Sequence, residues 1–590
     1  MNVPERVQNA DFPWVLTKSS LAAGTQILQN GGVKRILAAL CILPWILGAC
    51  EQSVTRTKAP AEPMTSGAAQ PAMSEQPGPA YDPAAGIRAE LDKALAKGTI
   101  HGAAFKVFDA DGRELFAHEI GTTTCSRTGP DGKQRKENCE FLGDSPIQLA
   151  SATKWISSTM ILGAMDDLGA THLSPDTPIG NHLASCLSNP STRQKAMLNE
   201  VRMRHLLSFT AGLKPEDSCV GDPSMNLREC ACKILRVTGN SYTTAGSRYV
   251  YGSTYHTVAG AMVEAALARA GRKRSDGQPM SIQDALVRYV NQKLGVNWAY
   301  GFNPAHPNPN LAGSIVASLD EYARLVKDVF DVNFKGQGKI MSPASAILQR
   351  SDAFSTQTQI VASPWMNDGY YYLPHHYGFN VWRQCYVQPY MPNLKTPAKA
   401  ADLGLEGFAD VDPSCAGEYT FGHAGKHGFT PWIDANRRIF AILALFEPEG
   451  GQEGEDPNGT DYRGVGRTLS LAVTPHVNAL VNRAPERPAQ LPSFRIANNV
   501  LWADSFSVLD PDRDSIASAV CEGDCPNGLS VSVRPRVRGK AGQEITLGWI
   551  PGKAGTYSFS VRLTDRSLAP KSVVVPVSID VTPSTASNPN

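Results

Sequence analysis

Ser151-Ala152-Thr153-Lys154 sets a hydroxyl and an amine three residues apart. On a helix, residues i and i+3 lie one turn apart on the same face, so the amine can reach the hydroxyl. Serine is a weak nucleophile and needs an adjacent base. A lysine, with an ordinary pKa near ~10.4, serves as that base only where burial or a neighbouring cation lowers it. The run from Ser151 to Leu168 is apolar on nearly every face, which predicts a buried helix. The helix N-terminus adds free backbone N–H groups and a positive dipole end, both suited to an oxyanion. The chemistry these features predict is acyl transfer through a serine. The same spacing also fits a capping serine followed by a solvated lysine, so the surrounding segments decide.

Five segments follow one another in order: DSPIQLASATK (144–154), HLLSFTAGL (205–213), SRYVYGSTYHTVAGAMVEAA (247–266), NLAGSIVASLDEYARLVK (310–327) and FGHAGKHGFTPWID (421–434). Together they resemble the serine β-lactamase and penicillin-binding protein superfamily, in its class C β-lactamase-like branch with related esterases and D-aminopeptidases. The resemblance spans roughly residues 84–483. It implies an α+β fold of the β-lactamase/transpeptidase type, an antiparallel sheet flanked by helices with a helical subdomain. It also implies Ser151 as nucleophile and Lys154 as its base partner. Tyr251 falls at the family tyrosine, which shares a proton with both and protonates the leaving group. Tyr249 and Tyr255 read instead as packed core aromatics.

Two positions depart from the family pattern. Ser253 stands where an asparagine usually donates to substrate, and its hydroxyl has a shorter reach. His423-Ala424-Gly425 replaces K-T-G, which sets the backbone N–H of Lys426 at the second oxyanion donor, opposite that of Ser151. The Lys426 side chain either restores a positive charge beside His423 or, by strand alternation, points away. With an ordinary pKa near ~6.5, His423 is mostly neutral at pH 7 and holds a penicillin-type carboxylate weakly, unless Lys426 or Arg383 takes over. Esters and aminoacyl amides are therefore expected ahead of penicillins and cephalosporins. Lactam binding is expected to fall between pH 6 and 8 as the imidazolium is lost. No metal or organic cofactor is implied. The aromatic-rich run from Trp365 to Tyr377 either lines the cleft or packs in the core, and His375 and His376 lack a second pair of ligands.

These residues need a frame. Residues 81–97 have helical spacing and stop at Gly98, and 101–120 read as a hairpin turning at Asp111-Gly112. A polar insertion, 121–143, is bracketed by Cys125 and Cys139. Residues 172–350 read mostly as helices and Gly/Pro-rich loops. Strands return over 415–447, with a turn at Asp434-Ala435-Asn436, and 464–483 are amphipathic and helical. The hydrolase domain is thus 81–483, followed by a linker at 484–492. Residues 493–590 alternate with period two between turn residues and predict a small all-β immunoglobulin-like sandwich.

The chain has 590 residues, with 56 Lys+Arg against 55 Asp+Glu, so the net charge of +1 gives no footprint for nucleic acid. At 42% hydrophobic and 19% charged it is globular. KRILAALCILPWILGAC (34–50) pairs a basic start with an apolar run and resembles a bacterial lipobox, with Cys50 lipidated and 51–80 a flexible tether. Residues 1–32 do not suit a signal peptide, and a start at Val33 is expected. Glu51 after the lipidated cysteine gives no inner-membrane retention signal, so a periplasm-facing outer-membrane anchor is expected. Ten of the twelve cysteines remain once Cys41 and Cys50 are set aside, enough for five disulfides. Cys125–Cys139, Cys521–Cys525 and Cys385–Cys415 are the expected pairs, and Cys230-Ala-Cys232 reads as disulfide cysteines rather than a metal site. The functional expectation is an envelope-anchored serine hydrolase acting on ester, amide or lactam carbonyls of small molecules or peptides, cell-wall derivatives among them. The alternatives are a β-lactamase or D,D-peptidase proper, and a non-catalytic envelope-binding lipoprotein with a decayed hydrolase domain.

Overall fold

The computed structural model describes residues 81–128, 133–239, 241–301, 303, 305–355, 357–363, 376–384, 420–446, 465–512, 514–534 and 542–583. Among them, eight strands form one antiparallel sheet. In chain order these are β1 (Gly102–Phe108), β2 (Glu114–Thr128), β3 (Gln134–Glu140), β4 (His376–Tyr377), β5 (Trp382–Gln384), β6 (Thr420–Gly422), β7 (Thr430–Asp434) and β8 (Ile439–Phe446). Across the sheet they run β3-β2-β1-β8-β7-β6-β5-β4, so the chain ends of the domain meet at its centre.

The central strands bury both faces, and their period-two alternation divides them between two cores. Ala104 and Phe108 of β1, with Phe440, Ile442 and Ala444 of β8, face the helical region. Ala103, Phe105 and Val107, with Ala441, Leu443 and Leu445, face the opposite side. That second core is closed by helix α1 (Pro83–Ala96) and by the late helix Val465–Val481, through Ile87, Leu91, Val473 and Val477. Asp82 caps α1 by accepting from the N–H groups of Ala84 and Ala85, and proline occupies its first turn.

Helix α2 (Thr153–Leu168) runs through the first core and buries all but Asp166 and Asp167. Helix α3 (Thr254–Arg269) and helix α4 (Leu319–Phe334) pack in the same core, the latter opened by a Ser318/Glu321 capping box.

The polar insertion of the sequence is part of the sheet. β2 continues to Thr128 and β3 returns beside it, with Cys125 paired to Cys139. β3 is largely exposed, so no apolar alternation marks it as a strand. Cys230 and Cys232 lie on one helix, two residues apart and thus on different faces. They take different partners, Cys219 and Cys186. Cys385 and Cys415 lie outside the described residues, whereas Cys521 pairs with Cys525.

The C-terminal region is all β. Strands β9 (Ser493–Ala497), β11 (Ile516–Glu522), β14 (Gly555–Asp565) and β15 (Ser572–Thr582) form one sheet. Strands β10 (Trp502–Val508), β12 (Ser530–Val533) and β13 (Gln543–Trp549) form another. Ile545, Leu547, Val561, Leu563, Val575 and Ile579 fill the space between them. This region docks through polar groups: Arg437, after the β7 turn, pairs with Asp514 at 2.9 Å, and Arg483 with Asp512 at 2.6 Å. No helix among the described residues is long and apolar enough to cross a membrane.

Candidate active site

Ser151 sits on the 3-10 turn Ala150–Ala152 that leads into α2. The segment 310–317 holds that turn from outside. The N–H of Leu149 donates to the Ile315 carbonyl at 3.0 Å, and the N–H of Ile315 donates to Thr153 Oγ1 at 3.3 Å. Tyr322, on α4, donates its hydroxyl to the Ala152 carbonyl at 2.9 Å. Ala150 has φ +45, a left-handed conformation that costs an L residue about 1 kcal/mol or more and is kept only where packing enforces it. The strain sits one residue before the candidate nucleophile.

Lys154 reaches back one turn. Its Nζ lies 3.0 Å from Ser151 Oγ and donates to the Ala312 carbonyl at 2.8 Å. The side chain is 2% exposed. Burial pushes its pKa down to about 7, with the charge of Glu216 pulling partly the other way. Once neutral, the amine commits one N–H to Ala312 and can turn its lone pair to the serine hydroxyl. The arrangement can therefore accept the Ser151 proton near neutral pH.

Tyr251 stands over this pair, with Lys154 Nζ 4.9 Å from its ring centroid. Its ring is packed by Phe209 at 5.0 Å and stacks on Trp382 at 6.0 Å and His423 at 6.1 Å. Phe209 is the hub of this aromatic cluster and also meets Tyr249, Tyr255, His256 and Tyr377. Tyr249 and Tyr255 are fully buried.

His423 is beside the pair but faces inward. It is 0% exposed, with Nδ1 3.1 Å from the Ala424 carbonyl and Nε2 3.0 Å from the Tyr377 hydroxyl. A carbonyl only accepts, so Nδ1 carries the proton towards Ala424, and Nε2 lies against the Tyr377 hydroxyl. Burial, then the charge of Lys154, holds its pKa well below the usual imidazole range. The expected imidazolium that fades between pH 6 and 8 is therefore corrected: this ring is neutral throughout that range.

Gly425 lies close against the serine turn. A Cβ there would lie 2.1 Å from the Leu149 carbonyl oxygen, so any side chain would push the chain after β6 away from Ser151. Lys426 follows, half-buried, in the next turn. Ser253 opens α3, and its N–H donates to Glu216 Oε1 at 2.9 Å and to the Pro215 carbonyl at 2.9 Å. Arg383 does not supply a cleft cation. It is 6% exposed and lies 3.8 Å from Asp352, which also pairs with His376. Tyr377 packs in the core and anchors His423, whereas Trp365 to His375 lie outside the described residues.

Four participants carried no sequence signal of their own. Phe209, Glu216, His256 and the Ala312 carbonyl become neighbours only through the fold. His256 is 1% exposed, with both ring nitrogens unpartnered. Burial, then the charge of Lys154, pushes its pKa well below the usual imidazole range. Among the described residues, no group of three or more His, Cys, Asp or Glu side chains is arranged to hold a metal ion.

Solved structures similar to this chain cover about two thirds of it. A candidate beta-lactamase from Bacteroides dorei is 21% identical, covering 66% of this chain and 98% of its own, with a TM-score of 0.47. A mutant of simvastatin synthase (LovD) from Aspergillus terreus is 17% identical, covering 68% of this chain and 95% of its own, with a TM-score of 0.43. EstCE1, a hydrolase with promiscuous acyltransferase activity, is 17% identical, covering 67% of this chain and 98% of its own, with a TM-score of 0.42. No curated protein matches the chain. The profile of the Beta-lactamase family matches residues 87–458, well over half of the sequence, and the chain belongs to that family.

Proposed function

We propose that this protein is a serine hydrolase that works through an acyl-Ser151 intermediate on ester or amide carbonyls. The observation that carries the reading is the buried Lys154 amine 3.0 Å from Ser151 Oγ, with its pKa pushed down to about 7. Lys154 takes the Ser151 proton as Oγ bonds to the carbonyl carbon. The bond to the leaving group then breaks, and the proton passes to that group by way of Lys154 and Tyr251. Water reverses the sequence and frees the acid. A lysine buried without an ion-pair partner is costly, and a binding module with a decayed site has no use for it.

The absence of a cleft cation at His423 and Arg383 favours substrates without a carboxylate to hold, so penicillins and cephalosporins act at most as slow acylating inhibitors. The lipobox ending at Cys50 supports attachment to the outer membrane facing the periplasm, where disulfides such as Cys186–Cys232 persist. Detergent-phase partitioning that Cys50→Ser abolishes tests the anchor. A fluorophosphonate tests the chemistry: the adduct is expected on the Ser151 peptide and absent in Ser151→Ala. A labelled Ser151→Ala protein sinks the assignment.

A further inference from the structure

We infer that Glu216 and Ser253 form a recognition site for a substrate ammonium next to the scissile carbonyl. This rests on the hydrolase reading above and names its substrate class: aminoacyl or amino-alcohol esters and amides. The 213–216 segment is clamped to the start of α3. The Pro215 carbonyl accepts from the N–H groups of Ser253 and Thr254, at 2.9 and 3.2 Å. The Lys214 carbonyl accepts from Thr254 Oγ1. A Cβ on Gly252 would lie 2.2 Å from the Pro215 oxygen, so only glycine permits this approach. The clamp fixes the Glu216 carboxylate through its bond to the Ser253 N–H, two residues beyond Tyr251, and its charge is felt at Lys154.

The carboxylate is exposed, and no lysine or arginine among the described residues pairs with it. The nearby cations are committed elsewhere: Lys214 and Lys233 pair with Asp217, at 3.3 and 3.1 Å. Beside it, the Ser253 hydroxyl does not cap the helix it precedes. A carboxylate and a hydroxyl oxygen both accept, and an ammonium has three donors and no acceptor. An anionic substrate meets repulsion at the same place. The glutamate thus complements what His423 lacks: the rim carries an anion, and neither His423 nor Arg383 offers the cleft a permanent cation.

The experiment compares kcat/KM within two matched pairs. Phenyl esters of alanine and of propanoate place the amine on the acyl side. 2-(Dimethylamino)ethyl butyrate in its protonated form, which keeps an N–H donor, and 3-methylbutyl butyrate place the cation on the leaving side. Glu216→Gln keeps the acceptor for the Ser253 N–H, so the fold is retained, and the ratio within a pair cancels any change in Lys154 basicity. The wild type is expected to prefer the cationic member of one pair. That preference is expected to drop about five- to tenfold in Glu216→Gln and to weaken as salt is raised. Ratios unchanged by the substitution in both pairs overturn this inference while leaving the hydrolase reading intact. No turnover of any ester together with no fluorophosphonate label on Ser151 overturns both.

Discussion

Two buried charge clusters in this molecule are built with opposite signs. Around Ser151 the buried basic groups are Lys154, His256 and His423, each less than 3% exposed, and the rim carboxylate of Glu216 opposes them. Where the C-terminal sandwich docks, they are mostly acidic. Asp434, Asp510, Asp512 and Asp565 are each less than 5% exposed, and Arg437 pairs with Asp434 and Asp514 while Arg483 pairs with Asp512. Desolvation pushes Lys154, His256 and His423 in the first cluster, and Asp510, Asp514 and Asp565 in the second, towards neutrality. Burial pushes Lys154 down to about 7. Burial, reinforced by the charge of Asp514, pushes Asp510 up to about 7. The difference lies in what neutrality does. At Ser151 it creates a base with a proton acceptor aimed at a hydroxyl. At the junction it relieves repulsion, and the remaining ion pairs hold two domains together.

The comparison breaks most sharply at Lys154. If its neutral form is the base, kcat/KM for a neutral ester rises with pH through about 7 and then levels. Lys154→Ala is expected to cut acylation by about 10²–10⁴-fold, and Lys154→Arg to restore none of it, since a guanidinium stays charged. Stopped-flow acylation across pH 5–9 measures both. A wild-type profile flat across that range would mean that the buried amine does not titrate during catalysis.

The Ser151–Lys154 pair and its helix were legible in the sequence because their spacing and apolar run are local, and because four further ordered segments outweighed the capping reading. An i, i+3 spacing and an all-apolar run survive any tertiary context. The hairpin at Asp111-Gly112 and the period-two strands after residue 493 were readable for the same reason. What stayed hidden depends on long-range proximity. Nothing near Glu216 in the sequence marks it, because its role comes from a loop clamped to α3 about 40 residues later. His423 was placed on the correct strand end, but its titration could not be read from its type. Burial and the charge of Lys154, far away in the sequence, decide that. The pairs Cys186–Cys232 and Cys219–Cys230 were hidden likewise, because an even count of cysteines fixes no connectivity.

The junction offers the smaller and more diagnostic effect. Asp510 Oδ1 accepts the N–H groups of Asp512 and Asp514, at 2.8 and 3.1 Å, while Oδ2 is buried without a partner. In the unfolded chain Asp510 titrates near its ordinary 3.8, and in the native protein at about 7. Between those values the native state holds a proton that the unfolded state has released. Stability contributed by this group is thus present below about pH 4, falls as pH rises, and is gone above about 7. Lys154 has the reverse linkage. Its native pKa is lowered, so its cost is largest below about 7 and fades towards 10.5. Asp510→Asn keeps the oxygen that caps the two N–H groups and removes only the charge. It should melt close to the wild type at pH 4 and gain on it by at least about 2–4 °C at pH 8. Calorimetry at the two pH values reads that difference directly. A gap of the same size at both would show that Asp510 remains ionised in the native protein, and that Arg437 and Arg483 already neutralise the junction.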